Sequence, residues 1–239
     1  MKTILPFFLA LAALTMQLPL TAQERLHTLP DANFQAPDHI RDAPLFGKTL
    51  VIFGDSYVKN HVRPITETWH YKIAAKYHMR YRNYGWNGNA ISIDRTSEGF
   101  GPAMYERYAE MTDTADYVII MAGHNDAAMF GSRVTPENFR EKLKVFCEGL
   151  IDKFPSARIV FITPWNVPRD GFPQVIDILK EVCASYAIPV YDAAHESGIY
   201  VWNEKFRRLY FQAPTDTAHH NSAGHDLFMG RAERFLLSL

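Results

Sequence analysis

The stretch Thr49-Leu50-Val51-Ile52-Phe53-Gly54-Asp55-Ser56-Tyr57 decides how the rest of the chain is read. A run of apolar and β-branched residues stops abruptly at a Gly-Asp-Ser corner. Buried parallel strands read this way, because helices cover both of their faces. Their carboxyl ends lie at the edge where open α/β sheets place ligands. A serine delivered there is a candidate nucleophile, provided the chain also supplies a base and donors for an oxyanion. The alternative is an ordinary strand-to-turn corner, since Gly, Asp and Ser are common in turns.

Working outward, the pattern repeats. Residues 65–77 space Ile65, Trp69, Ile73 and Tyr77 four apart, which is one face of a helix. Residues 80–84 form a short second strand that runs into Asn83-Tyr84-Gly85-Trp86-Asn87-Gly88-Asn89, a loop able to expose backbone amides. A short helix is expected over residues 103–111. Tyr117-Val118-Ile119-Ile120-Met121 is a third buried strand, and it ends at the polar corner Gly123-His124-Asn125-Asp126. Thr135 followed by Pro136 opens a helix, with a capping residue ahead of a first-turn proline, that runs to residue 154. Residues 158–163 form a fourth strand ending at Pro164-Trp165-Asn166. A helix over 175–186, a short fifth strand over 189–192 and a last helix over 221–237 complete the chain. Strands that alternate with helices imply βαβ units and a parallel sheet. The expected architecture is one doubly wound α/β domain over residues 49–239.

The ends of the chain and its composition bound the functional classes. Lys2 is the only charge before Glu24, residues 4–14 are almost wholly apolar, and Thr21-Ala22 offers small residues for cleavage. Residues 1–22 therefore read as a secretory signal peptide, and the protein as secreted or periplasmic. The apolar run is short for a bilayer, so no stable membrane anchor is expected. Residues 23–48, with Pro30, Pro37 and Pro44, read as an extended N-terminal arm packed over the domain. A formal charge of −1 gives no reason to invoke nucleic acid. Cys147 and Cys183 both fall in helical patterns and read as core residues, with pairing left open for an oxidising compartment.

A serine hydroxyl needs a neighbouring base oriented by a third group. Ten histidines leave composition unable to choose one. Asp216-Thr217-Ala218-His219 puts a carboxylate three residues before an imidazole, ahead of the last helix; His220 and His225 are rivals in the same stretch. For the oxyanion, the loop containing Gly88 offers a glycine amide and Asn125 a side-chain amide. His61, His70 and His78 have no metal-ligand spacing and read as surface or packing residues.

Four blocks occur in order: Gly54-Asp55-Ser56; Asn83-x-Gly85-x-x-Gly88; Gly123-His124-Asn125-Asp126; and Asp216-x-x-His219-x-Asn221-x-x-Gly224-His225. Together they resemble the SGNH, or GDSL-like, hydrolase superfamily. The resemblance implies a flavodoxin-like three-layer sandwich with a five-stranded parallel sheet and an ester hydrolase without a metal or organic cofactor. It implies Ser56 as nucleophile, His219 as base and Asp216 as its orienting carboxylate. The oxyanion hole it implies comprises the Ser56 and Gly88 amides and the Asn125 side chain. Tyr57 stands where leucine is commonest and His220 where proline is frequent, and neither change removes a functional atom.

Trp86, Trp165 and Arg169 fall in or near loops at the expected active edge. Aromatic rings beside hydrogen-bonding groups suit a sugar face, so deacylation of a carbohydrate, removing O-acetyl groups, is the expected reaction. The rivals are a short-chain lipid esterase or lysophospholipase, and a carbohydrate-binding module that lost catalysis. The intact set Ser56, His219 and Asp216 speaks against the second rival.

Overall fold

The computed structural model describes residues 36–239. The leader expected over residues 1–22 and the arm up to residue 35 lie outside them. The rest of the arm is not simply extended. It makes a helical turn at Asp38–Arg41, and Ala36, Ile40 and Leu45 are buried against the domain.

Five strands form one parallel sheet: β1 (Thr49–Gly54), β2 (Arg80–Gly85), β3 (Tyr117–Met121), β4 (Arg158–Ile162) and β5 (Val190–Tyr191). Their spatial order is β2-β1-β3-β4-β5, the doubly wound arrangement that the alternating pattern predicts. Every residue of β1 and β3 is buried, whereas the edge strands β2 and β5 are covered less completely. The reason is layering. Helices Pro136–Lys153 and Phe172–Ser185 pack together, as do Trp69–Lys76 and Ser222–Leu237, and the two pairs make the outer layers.

Several helices differ from expectation in their limits. The helix expected over 65–77 is interrupted: Thr68 ends a 3₁₀ turn at Ile65–Glu67, then caps Trp69–Lys76 by accepting from the Tyr71 amide. Phe172–Ser185 begins earlier than expected because Pro173 sits in its first turn, where a missing N–H costs nothing. The corner after β3 is itself a short helix, His124–Ala128.

Register sets the active edge. Gly54 pairs with Gly85 on one side and Met121 on the other, and Met121 pairs with Ile162, so four strands end at one level. The order reverses between β1 and β3, the crevice where such sheets bind ligands. The chain after β1 makes a tight helical turn, Ser56–Lys59, that lies directly on the end of β2. Gly85 permits this, since a Cβ there would sit 2.3 Å from the Lys59 nitrogen. Cys147 and Cys183 are buried free thiols on the two packed helices.

Candidate active site

Ser56 opens the turn after β1, with Asp55 as its cap: the Asp55 carboxylate accepts from the Tyr57 amide at 2.9 Å. Being at the start of a helical turn, the Ser56 amide points out of it with no intrahelical acceptor. The Ser56 hydroxyl is 2.9 Å from His219 Nε2, and His219 Nδ1 is 3.0 Å from Asp216 Oδ2. The other Asp216 oxygen accepts from the Ala218 and His219 amides at 2.8 and 2.9 Å. The carboxylate is thereby fixed by its own loop, with one oxygen left for the imidazole. Its partner assigns the tautomer: a proton on Nδ1 leaves Nε2 free to accept the serine proton. Burial raises the Asp216 carboxyl, but hydrogen bonds and charge from His219 outweigh it and hold it below its ordinary value.

The loop carrying His219 is anchored at its far end by Asn221. That side chain caps the Ser222–Leu237 helix through the Gly224 amide and donates to the Leu209 and Phe211 carbonyls.

Asn125 stands in the first turn after β3. Its amide donates to the Asn89 carbonyl at 2.9 Å and to Asp55 Oδ2 at 3.2 Å. It therefore bridges the neighbour of Gly88 and the neighbour of Ser56, and ties together the three loops expected to furnish the oxyanion donors. Its contact with Asp55 is the longer one and the one an oxyanion could replace. Burial pushes the Asp55 carboxyl up to about 7, against the pull of the Tyr57 amide and the Asn125 side chain. Gly88 adopts φ +73°, and the Phe100 ring lies where a Cβ would be, so no other residue fits that turn. Asp126 fixes the same loop from below by accepting from the Ile91 and Ser92 amides and the Ser92 hydroxyl.

The rival histidines have other tasks. His225 is buried, with Nε2 3.0 Å from the Asn60 side-chain oxygen. His220 is buried and stacks on Trp165 at 3.9 Å and 10°, turned away from Ser56.

Among the three residues expected to meet substrate, Trp165 requires correction. The residue is 1% exposed, its Nε1 donates to the Ala218 carbonyl at 2.8 Å, and Phe228 packs edge to face against it. It is the floor beneath the His219 loop and makes no wall of the crevice. Trp86 is half-buried, leaning over Gly101 and capped by the Arg107 guanidinium. Arg169 is exposed, and its charge reaches Tyr57 and His124. Burial holds His124 down to about 4, so its neutral Nδ1 can accept from the Tyr57 hydroxyl at 3.3 Å.

One neighbour of the site was not expected. The exposed His61 ring lies flat on His219, with centroids 4.3 Å apart and planes 14° from parallel. Only a chain reversal after Ser56–Lys59 brings it there, and no spacing rule announces that reversal. Among the described residues, no cluster of three or more His, Cys, Asp and Glu could hold a metal ion.

Residues 52–227 match the model of the GDSL-like lipase/acylhydrolase family. Among solved structures, a protein from Lactobacillus plantarum resembles this chain with a TM-score of 0.68 at 22% identity, covering 81% of this chain and 98% of its own. The lipase/acylhydrolase from Enterococcus faecalis gives 0.56 at 21% identity, covering 80% and 96%. An active-site mutant of a family two carbohydrate esterase from Clostridium thermocellum gives 0.57 at 14% identity, covering 80% and 63%. These are likenesses of fold. No curated protein is significantly similar in sequence to the chain.

Proposed function

Because the chain belongs to the GDSL-like lipase/acylhydrolase family, we propose that it is an exported serine esterase that removes O-acetyl or other short acyl groups from a carbohydrate. The observation that carries the esterase part is the continuous relay of Ser56 to His219 at 2.9 Å and His219 to Asp216 at 3.0 Å. Ser56 Oγ bonds to the ester carbon as its proton passes to His219 Nε2. The Ser56 and Gly88 amides and the Asn125 side chain receive the developing oxyanion. As the tetrahedral intermediate collapses, the alcohol leaves with the proton from Nε2, and Ser56 remains acylated. Water then attacks the acyl group, gives its proton to Nε2, and Ser56 recovers it on release of the acid. Asp216 remains ionised throughout, holding Nδ1–H and stabilising the transient imidazolium.

The sugar ester is favoured by the polar rim of the crevice, where His61, Asn166 and Arg169 are all exposed. The fold likeness to a carbohydrate esterase is consistent with it. A second reading, a short-chain lipid esterase, is favoured by a hollow of about 500 Å³ beside His61, walled by Val62, Pro64 and Ile65.

Hydrolysis of p-nitrophenyl acetate by wild type and Ser56→Ala tests the chemistry, and equal rates would remove the nucleophile. Acetate release from acetylated oligosaccharides, set against esters of rising acyl length, separates the two substrates. Sugar deacetylation with rates falling as the acyl chain lengthens is expected; rising rates and no acetate from sugars would assign the lipid reading.

A further inference from the structure

The geometry points to His61 as a positioning residue, the fixed wall against which the His219 ring keeps its catalytic orientation. This rests on the reading of Ser56 and His219 as nucleophile and base. An imidazole that must hold Ser56 with one nitrogen and Asp216 with the other loses both contacts if it rotates about its Cβ–Cγ bond. The His61 ring, stacked at 4.3 Å, covers one face of His219 and opposes that rotation. Tyr57 approaches the same ring at 6.2 Å and a 48° tilt, too far and too oblique to do so alone.

The main chain that carries this ring is held firmly. Asn60 and His61 are consecutive non-glycine residues in the left-handed region, at φ 68° and 49°. Such a pair is strained and persists only where its surroundings over-determine it. Here the His61 amide donates to the Ser56 carbonyl at 3.1 Å, and the Asn87 side chain donates to the His61 carbonyl at 3.1 Å. The Asn60 side chain donates to the Pro64 carbonyl and accepts from Gln212. The Gln212 backbone amide in turn donates to the His219 carbonyl at 2.9 Å. The wall and the base thus share one frame of hydrogen bonds.

The residue type matters as well as its shape. The charged and titratable groups around His219 are Asp216, Asp55, Tyr57, His61, His124 and His220, with the charge of Arg169 acting on Tyr57 and His124. Lys59 and Arg63 line the hollow on the far side of His61. Burial and the charge of His219 both lower the proton affinity of His61. A neutral ring there lets the transient imidazolium form without a second positive charge against it.

The test uses the full chain and p-nitrophenyl acetate, with thermal melting to establish folding. His61→Ala should lower kcat ~10- to 100-fold, the scale of a catalytic group misplaced by about 1 Å, with KM within about twofold. His61→Phe keeps a flat wall and should recover kcat to within about threefold of wild type. His61→Lys puts a permanent cation against the base and should move the acid limb of kcat/KM to lower pH by roughly half a unit or more. Wild-type kcat in His61→Ala, a His61→Phe no better than His61→Ala, or an unshifted limb in His61→Lys each overturns the role of His61. Wild type and Ser56→Ala of equal activity would instead overturn the esterase reading beneath it.

Discussion

The loop that ends at the last helix has two sides, and adjacent histidines face them. His219 looks into the crevice, both ring nitrogens engaged, by Ser56 and by Asp216. His220 looks into the core, 1% exposed, with neither ring nitrogen bonded to any described residue and the ring stacked on Trp165. The split is a matter of backbone. His220 forms an antiparallel bridge with Phe211, and neighbours in an extended segment point to opposite sides. Identical side chains thus become a hydrogen-bonded ring at the crevice and a packing ring in the core. The mouth of the site is built from hydrogen bonds, and its back from aromatic rings packed edge to face: Phe228 on Trp165 and Phe211 on His220.

Substitutions should divide along the same line, with mouth residues governing turnover and back residues governing stability. The largest expected effect is at the mouth: His219→Ala should lose ~10⁴- to 10⁶-fold in kcat, and Asp216→Ala less, without additivity between them. The measurement is single and double mutant kinetics on p-nitrophenyl acetate. Activity surviving in His219→Ala but vanishing in His219→Ala with His220→Ala would reverse the two histidines. Next is Asn125→Ala, expected to cost ~10²- to 10³-fold in kcat with KM little changed, as for loss of one oxyanion donor. A change confined to KM would make Asn125 only the tie between Asn89 and Asp55.

The smallest effect belongs to the back. Burial holds His220 well below the ordinary imidazole range, His124 down to about 4 and His225 down to about 3. At these three sites the unfolded chain binds more protons than the folded one below about pH 6.5, so their contribution to stability falls as pH drops through that window, opposite in sign to that of the raised Asp55 carboxyl. His220→Phe keeps the stack on Trp165 and removes one such group. Its Tm should fall less than that of wild type between pH 7 and 5, by on the order of a few degrees, with kcat within about twofold. A large loss of kcat with an unaltered pH dependence of Tm would place His220 at the mouth.

The central strands were legible because both of their faces are covered, which leaves the continuous apolar runs Leu50–Phe53 and Val118–Met121. The Thr135 cap and Pro136 announced their helix for an equally local reason. Glu204–Tyr210 was not expected: none of its residues is buried, so it presents no apolar stripe to find. At the site, Asp216 and His219 share one loop, and their spacing is visible in the chain. His61 faces His219 across more than 150 positions, through two consecutive left-handed residues that no periodicity marks. Trp165 misled because a tryptophan in a loop looks the same from sequence whether it meets substrate or supports the loop beneath.

Asn221 has a consequence for how the molecule opens. It sits two residues after His219, caps the Ser222–Leu237 helix, and grips the chain at Leu209 and Phe211. If that helix frays from its first turn, the same event releases the His219 loop. Turnover at Ser56 and amide-hydrogen exchange protection of the C-terminal helix should therefore be lost together. In mild denaturant the ester hydrolysis proposed above should cease at the concentration where those amides begin to exchange, while the central strands β1 and β3 remain protected.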